Sequence, residues 1–148
     1  MYMLYIEERT MPVAEYDTVT EARKGFKSML DVAQDGGTGL VHRDGRTFAL
    51  VSTELLHPAL LAAVGVTPEV FFEDGGVGIA LPGAPFAAEG ENLQEAAADL
   101  VEALREYAED WAGLRNVPNH NRLQHLVALV DVSSDQQLMD WLTGESAA

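Results

Sequence analysis

Two tight-turn dipeptides, Asp44-Gly45 and Asp74-Gly75, do most to limit what this chain can fold into. A two-residue hairpin loop needs positive φ angles at both central positions, and Asp-Gly supplies them at low cost, so each dipeptide predicts a hairpin. Residues 40–43 and 47–52 flank the first turn. Residues 70–73 and 77–81 flank the second, where Asp74-Gly75-Gly76 makes the turn, and residues 86–89 follow as a third strand after Pro82-Gly83. Between the two hairpins, Gly65 to Pro68 separates an apolar helical stretch from a new strand run. The chain is long enough for one ordinary domain or two small modules. These signals predict an α+β protein with modules at residues 1–65 and 66–148.

Helical periodicity fills the space between the strands. From Thr20, read as an N-cap, the apolar residues Ala22, Phe26, Met29, Leu30 and Ala33 recur at three and four and predict a helix ending at Gly36-Gly37. Ser52 is expected to cap a stretch through Leu55, Leu56, Leu60, Leu61 and Val64, with Pro58 breaking or restarting it near His57. Asn92 with Glu95 three residues later has the form of a capping box. It opens the longest helix, whose buried stripe is Leu93, Ala97, Leu100, Leu104, Tyr107 and Trp111. Pro118-Asn119 ends that region, residues 125–132 read as a further apolar strand, and Ser134 starts a short helix with Leu138, Trp141 and Leu142. Trp111 and Trp141 are in phase with leucines, which points to core packing. The apolar residues 1–6 read as a strand, being too short for a membrane span and lacking a basic leader. Met11 is an alternative start.

Charge is unevenly spread. The formal net charge is -15, yet residues 1–50 hold six cations against eight acids, while residues 51–148 hold three against sixteen. Arg23, Lys24, Lys27, Arg43 and Arg46 fall on one helix start and one hairpin. In the first two turns of a helix the macrodipole opposes a cation by roughly 0.3–1 kcal/mol, so local stability does not explain the first three. A helix start with free N–H groups and added cations suits phosphate, which makes Thr20 and these five residues the expected polyanion contacts. On the longest helix Glu95, Asp99, Glu102, Glu106 and Glu109 repeat at four and three, on the side away from the apolar stripe, with Arg105 as the one cation nearby. Like charges so spaced cost a helix about a few tenths of a kcal/mol per pair. Such a face suits water, and it also suits a basic protein.

Other chemistry finds little support. With no cysteine there is no disulfide framework, thiolate zinc site or cysteine nucleophile, and the composition fits a reducing cytosol, so a cytoplasmic location is expected. His42, His57, His120 and His125 lack metal-ligand spacing, and no metal or cofactor is expected. Glu73, Asp74 and Glu89 would be the natural carboxylates of a small metal-dependent hydrolase, but nothing marks them as an acid and base pair.

Thr20-Glu21-Ala22-Arg23, the amphipathic helix ending in glycine, Leu40-Val41-His42-Arg43, the Asp44-Gly45 turn and Phe48-Ala49-Leu50-Val51-Ser52 together resemble the prevent-host-death (Phd/YefM) antitoxins over residues 17–62. The resemblance implies a sheet-and-helix dimerisation unit that binds operator DNA with the start of its first helix and its hairpin tip. Arg23 matches the arginine of the Glu-Ala-Arg motif, and Arg43 matches the arginine before the turn. Thr20, Lys24, Lys27 and Arg46 join them only as their neighbours at the helix start and the hairpin, not through the family motif. His42 stands where the family often has threonine, and residues 1–16 are an added segment.

In the second half, Val70 to Val77, Leu81-Pro82-Gly83 and Ala88 to Ala96 are similar to the HicB-like antitoxin pattern, with Ala84 where a cysteine is usual. That resemblance implies a partial RNase H-like β-meander plus long helix, without catalytic function, that binds and covers a toxin. The two together imply a non-enzymatic type II antitoxin, a homodimer or higher oligomer. It would hold a cognate toxin, such as a basic RelE-like ribonuclease, with its acidic half and repress its own operon by binding operator DNA. The alternative is a stand-alone transcriptional regulator with a ligand-sensing second module.

Overall fold

A computed structural model describes residues 13–145, so the strand expected at residues 1–6 lies outside the described residues. The chain divides into two compact units, the first ending at Leu56 and the second beginning at His57. This division falls within α3 (Thr53–Val64), whereas the turn signals place it after the helix. Pro58 lies inside α3 and does not break it. Pro58 cannot donate to the carbonyl of Glu54, but both residues are exposed, so solvent reaches the group left over. Ser52 caps α3 as expected, its Oγ accepting from the Leu55 N–H at 3.3 Å.

In the first unit β1 (Val13–Tyr16) leads into α1 (Val19–Lys24) and α2 (Phe26–Gln34), then β2 (Thr38–Arg43) and β3 (Arg46–Leu50). The sheet order is β1-β2-β3, with β1 parallel and β3 antiparallel to β2. Asp44 and Gly45 have φ of 51° and 76°, the turn their sequence predicts. The single helix expected from Thr20 is instead two. Its cap is Thr18, whose Oγ1 accepts from the Glu21 N–H at 3.1 Å, so Thr20 sits inside the first turn. Gly25 then separates α1 from α2. There the Tyr16 hydroxyl donates to the Gly25 carbonyl at 3.2 Å, and the phenol fills the space a Cβ on Gly25 would need. Ala22, Met29 and Ala33 are buried, and Gly39 on β2 lets Met29 approach the strand.

After the remainder of α3, the second unit has a meander of β4 (Glu69–Glu73), β5 (Gly76–Leu81) and β6 (Phe86–Gly90), all antiparallel in that order. It continues through α4 (Leu93–Glu109), α5 (Trp111–Leu114), a 3-10 turn at Asn121–Leu123, α6 (Gln124–Val132) and α7 (Asp135–Thr143). α4 packs on β5 and β6, and α6 and α7 pack on α4. Ile79, Leu81, Leu100, Leu104, Val130 and Leu138 are at the centre of the core, with Trp111 and Trp141 partly buried against it. Residues 125–132 form a helix, not a strand. The buried Leu126, Val127, Leu129 and Val130 obey helical spacing, but five consecutive apolar residues hide it.

The helix starts follow the sequence closely. Ser134 and Gln137 form a full capping box. Asn92 Oδ1 accepts from the Glu95 N–H at 2.9 Å, while the Glu95 carboxylate reaches one residue further back and accepts from the Glu91 N–H at 2.9 Å.

Arg105 departs most from its expected place. Its Nη1 donates to the Val130 carbonyl at 2.6 Å, and its Nη2 donates to the Ser133 carbonyl and to Asp135 Oδ1, each at 2.8 Å. It therefore satisfies carbonyls at the end of α6, where intrahelical donors run out. Replacing Arg105 by Gln is expected to lower the stability of the second unit by about 1–3 kcal/mol, chiefly through the missing carbonyl bonds, since the exposed Asp135 adds little. Thermal unfolding measures this.

Tyr107 joins Phe86, Trp111 and His120 in an aromatic group, its ring 5.0 Å from that of Phe86 and its hydroxyl 2.8 Å from His120 Nδ1. Burial raises the Tyr107 pKa above its ordinary 10.0, with Arg122 opposing. The folded state thus holds the proton more tightly than the unfolded state. Its contribution to stability is full below about pH 10 and is lost as pH rises through the folded pKa. Tyr107→Phe is expected to flatten that alkaline decline in urea denaturation series.

Candidate functional site

In the first unit two of the expected cationic contacts, Arg43 and Arg46, share the hairpin tip. β1 finishes at Tyr16, paired with Val41, and β2 runs on to Arg43 while α1 begins at Val19, so the helix start and the hairpin tip lie at the same end of the sheet. At that tip Arg43 and Arg46 stand directly opposite one another. Like charges so placed destabilise a ladder, and the hairpin carries this cost without a strong local counter-ion. The nearest acid, Asp44, lies 3.6 Å from Arg43 Nε in an exposed pair.

The other expected contacts are spread over the kinked helix pair. Because the helix breaks at Gly25, Arg23 and Lys24 occupy the last turn of α1, where the dipole favours cations, so helix polarity does not single them out. Lys27 begins α2 and pairs with Asp31 at 3.1 Å on the surface. Arg23, Lys24 and Arg46 make no ion pair among the described residues. Thr20 is exposed in the first turn of α1 without serving as its cap.

Two features of this unit escaped sequence reasoning. Val19, Phe26 and Phe48 are 45%, 48% and 52% exposed, and with Met29, Val41 and Leu50 they line an apolar hollow of about 560 Å³. Helical spacing marks Phe26 as core, and the spacing is right about the face but silent on whether this chain covers it. An apolar patch of this kind marks an interaction surface. His42 is the second feature: its Nε2 lies 2.6 Å from Glu15 Oε2 and its Nδ1 3.0 Å from Thr47 Oγ1, tying all three strands together.

In the second unit Glu95, Asp99, Glu102, Glu106 and Glu109 are all exposed along α4. None makes an ion pair among the described residues, since Arg105 is bound at the end of α6. The acidic face is therefore less compensated than the sequence implies. On the sheet, Glu73, Asp74 and Glu89 border a shallow hollow of about 220 Å³ with Gly76 and Gly78. Among the described residues no three His, Asp or Glu side chains converge on a metal position, and no helix is long and apolar enough to cross a membrane.

This architecture is shared with a known structure. The crystal structure of the antitoxin part of a candidate toxin/antitoxin system from Syntrophomonas wolfei subsp. wolfei superposes with a TM-score of 0.65 at 23% sequence identity, covering 88% of this chain and 96% of that one. The likeness is one of fold. No curated protein sequence matches the chain. A PHD-like family model, described as antitoxin of toxin-antitoxin, RelE / RelB, TA system, matches residues 13–132. The match runs from β1 to the end of α6, so a single family model spans both units where the sequence motifs pointed to two. The chain belongs to this antitoxin family, and its part in a toxin–antitoxin system is regulatory, not enzymatic.

Proposed function

We propose that the chain is a cytoplasmic, dimeric type II antitoxin that holds a basic toxin, of the RelE-like ribonuclease class, on the acidic face of α4. In this reading the basic end of the first unit binds operator DNA through Thr20, Arg23, Lys24, Lys27, Arg43 and Arg46, and the complex represses its own operon. The apolar face of Val19, Phe26 and Phe48 is the dimer contact, and two copies of the Arg43–Arg46 tip then meet a palindromic site.

The supporting observation is the separation of weakly compensated charge. Five carboxylates on α4 lack cations because Arg105 is bound elsewhere, while two arginines face each other at the hairpin tip of the other unit. Charge left unbalanced on opposite halves of one chain suits two partners of opposite sign better than one.

The DNA half is tested by gel shift at several salt concentrations. Arg43→Ala together with Arg46→Ala is expected to weaken operator binding and to reduce the salt slope by about 1 for each phosphate that is no longer neutralised, and an unchanged slope would overturn it. The toxin half is tested by co-expression with a basic RelE-like toxin. Glu102→Lys with Glu106→Lys is expected to abolish rescue of growth while the circular dichroism spectrum stays the same; full rescue by the variant counts against the α4 face.

A further inference from the structure

Among the described residues β4 is an outer strand that pairs with β5 alone, and α4 covers β5 and β6. Such a strand leaves alternate N–H and C=O groups pointing away from the sheet, and proteins usually blunt it with lysine, proline or a covering element. The centre of β4 is instead Val70-Phe71-Phe72. Val70 and Phe72 pair with Ile79 and Val77, so they lie on the sheet face that carries the core. Ile79 is fully buried, but Val70 is 39% and Phe72 78% exposed. The apolar face thus runs beyond its helical cover, and beside it Val66, Pro68, Val70 and Trp141 border a hollow of about 300 Å³.

Charge decides what fits there. An antiparallel pairing of two copies of β4 centred on Phe71 would set Glu69 against Glu73 at both ends, and like charges directly opposite are destabilising. A strand with lysine or arginine at those two positions, and apolar side chains beside Val70 and Phe72, reverses the sign at both ends. We propose that the β4 edge docks an extended, cationic segment of a basic protein, which adds a fourth strand to the β4-β5-β6 sheet. The identification of that protein as the toxin rests on the toxin-binding reading above; the chemistry of the site does not, and it lies on a different surface from the acidic face of α4.

The test uses the full chain and two fluorescein-labelled peptides, one with Lys-Val-Thr-Val-Lys at its centre and one with glutamate in place of both lysines, followed by fluorescence anisotropy. The cationic peptide is expected to bind saturably, and the glutamate peptide not to bind. Phe72→Glu leaves the core untouched, because the ring is already exposed, and is expected to weaken the cationic peptide about tenfold, the scale of one aromatic contact. A site that attracts by charge alone would bind the peptide more tightly after that change, and this result overturns the proposal. So does the absence of saturable binding, or a concentration-dependent self-association that Phe72→Glu abolishes, which assigns the edge to a second copy. The α4 pair Glu102→Lys and Glu106→Lys is expected to leave peptide binding intact, so failure of the α4 reading and failure of the β4 reading are separately visible.

Discussion

Arg105 leaves α4 and bonds the carbonyls of Val130 and Ser133 and the carboxylate of Asp135, at the corner where α6 stops and α7 starts. Only two residues separate those helices, and both pack on α4. A corner that sharp concentrates carbonyls without helical donors, and a planar guanidinium with five donors in a fixed fork can satisfy several of them at once. The buried Ser133 completes the corner by donating to the Leu129 carbonyl at 2.6 Å. One cation thus joins three helices. Because its donors are turned to that corner, the carboxylates of α4 have no ion-pair partner among the described residues, so the same contact that organises the helices leaves the exterior of α4 acidic.

What the sequence made legible was local. Caps at Ser52, Asn92 and Ser134 and the turns at Asp44-Gly45 and Asp74-Gly75 are decided within a few residues, and the structure has each of them. The buried stripe of α4 was legible too, through Ala97, Leu100 and Leu104. Failures came where a distant group decides. The break at Gly25 depends on Tyr16, nine residues away, and the fate of Arg105 depends on a corner twenty-five or more residues along the chain. In α6 the opposite problem arose, because dense burial removed the polar residues that would have displayed the period. At the candidate surfaces, residue type and position were readable, and so was the local pair of Lys27 with Asp31 four residues on in the same helix, whereas the placing of Arg46 opposite Arg43 follows from strand register.

The two units solve different surface problems. The first is small, and part of its apolar inventory stays outside, at Val19, Phe26 and Phe48, so it keeps both a greasy face and a cationic end. The second buries its leucines well and spends its exterior on carboxylates. One antitoxin family model matches across both units.

Both hairpins close through two residues in the left-handed region, Asp44-Gly45 and Asp74-Gly75. Closing so short a loop sacrifices little chain entropy, so the β2–β3 and β4–β5 registers are specified by local contacts alone. In folding order, the parallel pairing of β1 with β2 and the Arg105 corner have to come afterwards, since each must gather residues from well separated parts of the chain. The turns thus make each hairpin a local unit, whereas the first unit's full sheet and the helical cover of the second depend on contacts between distant parts of the chain.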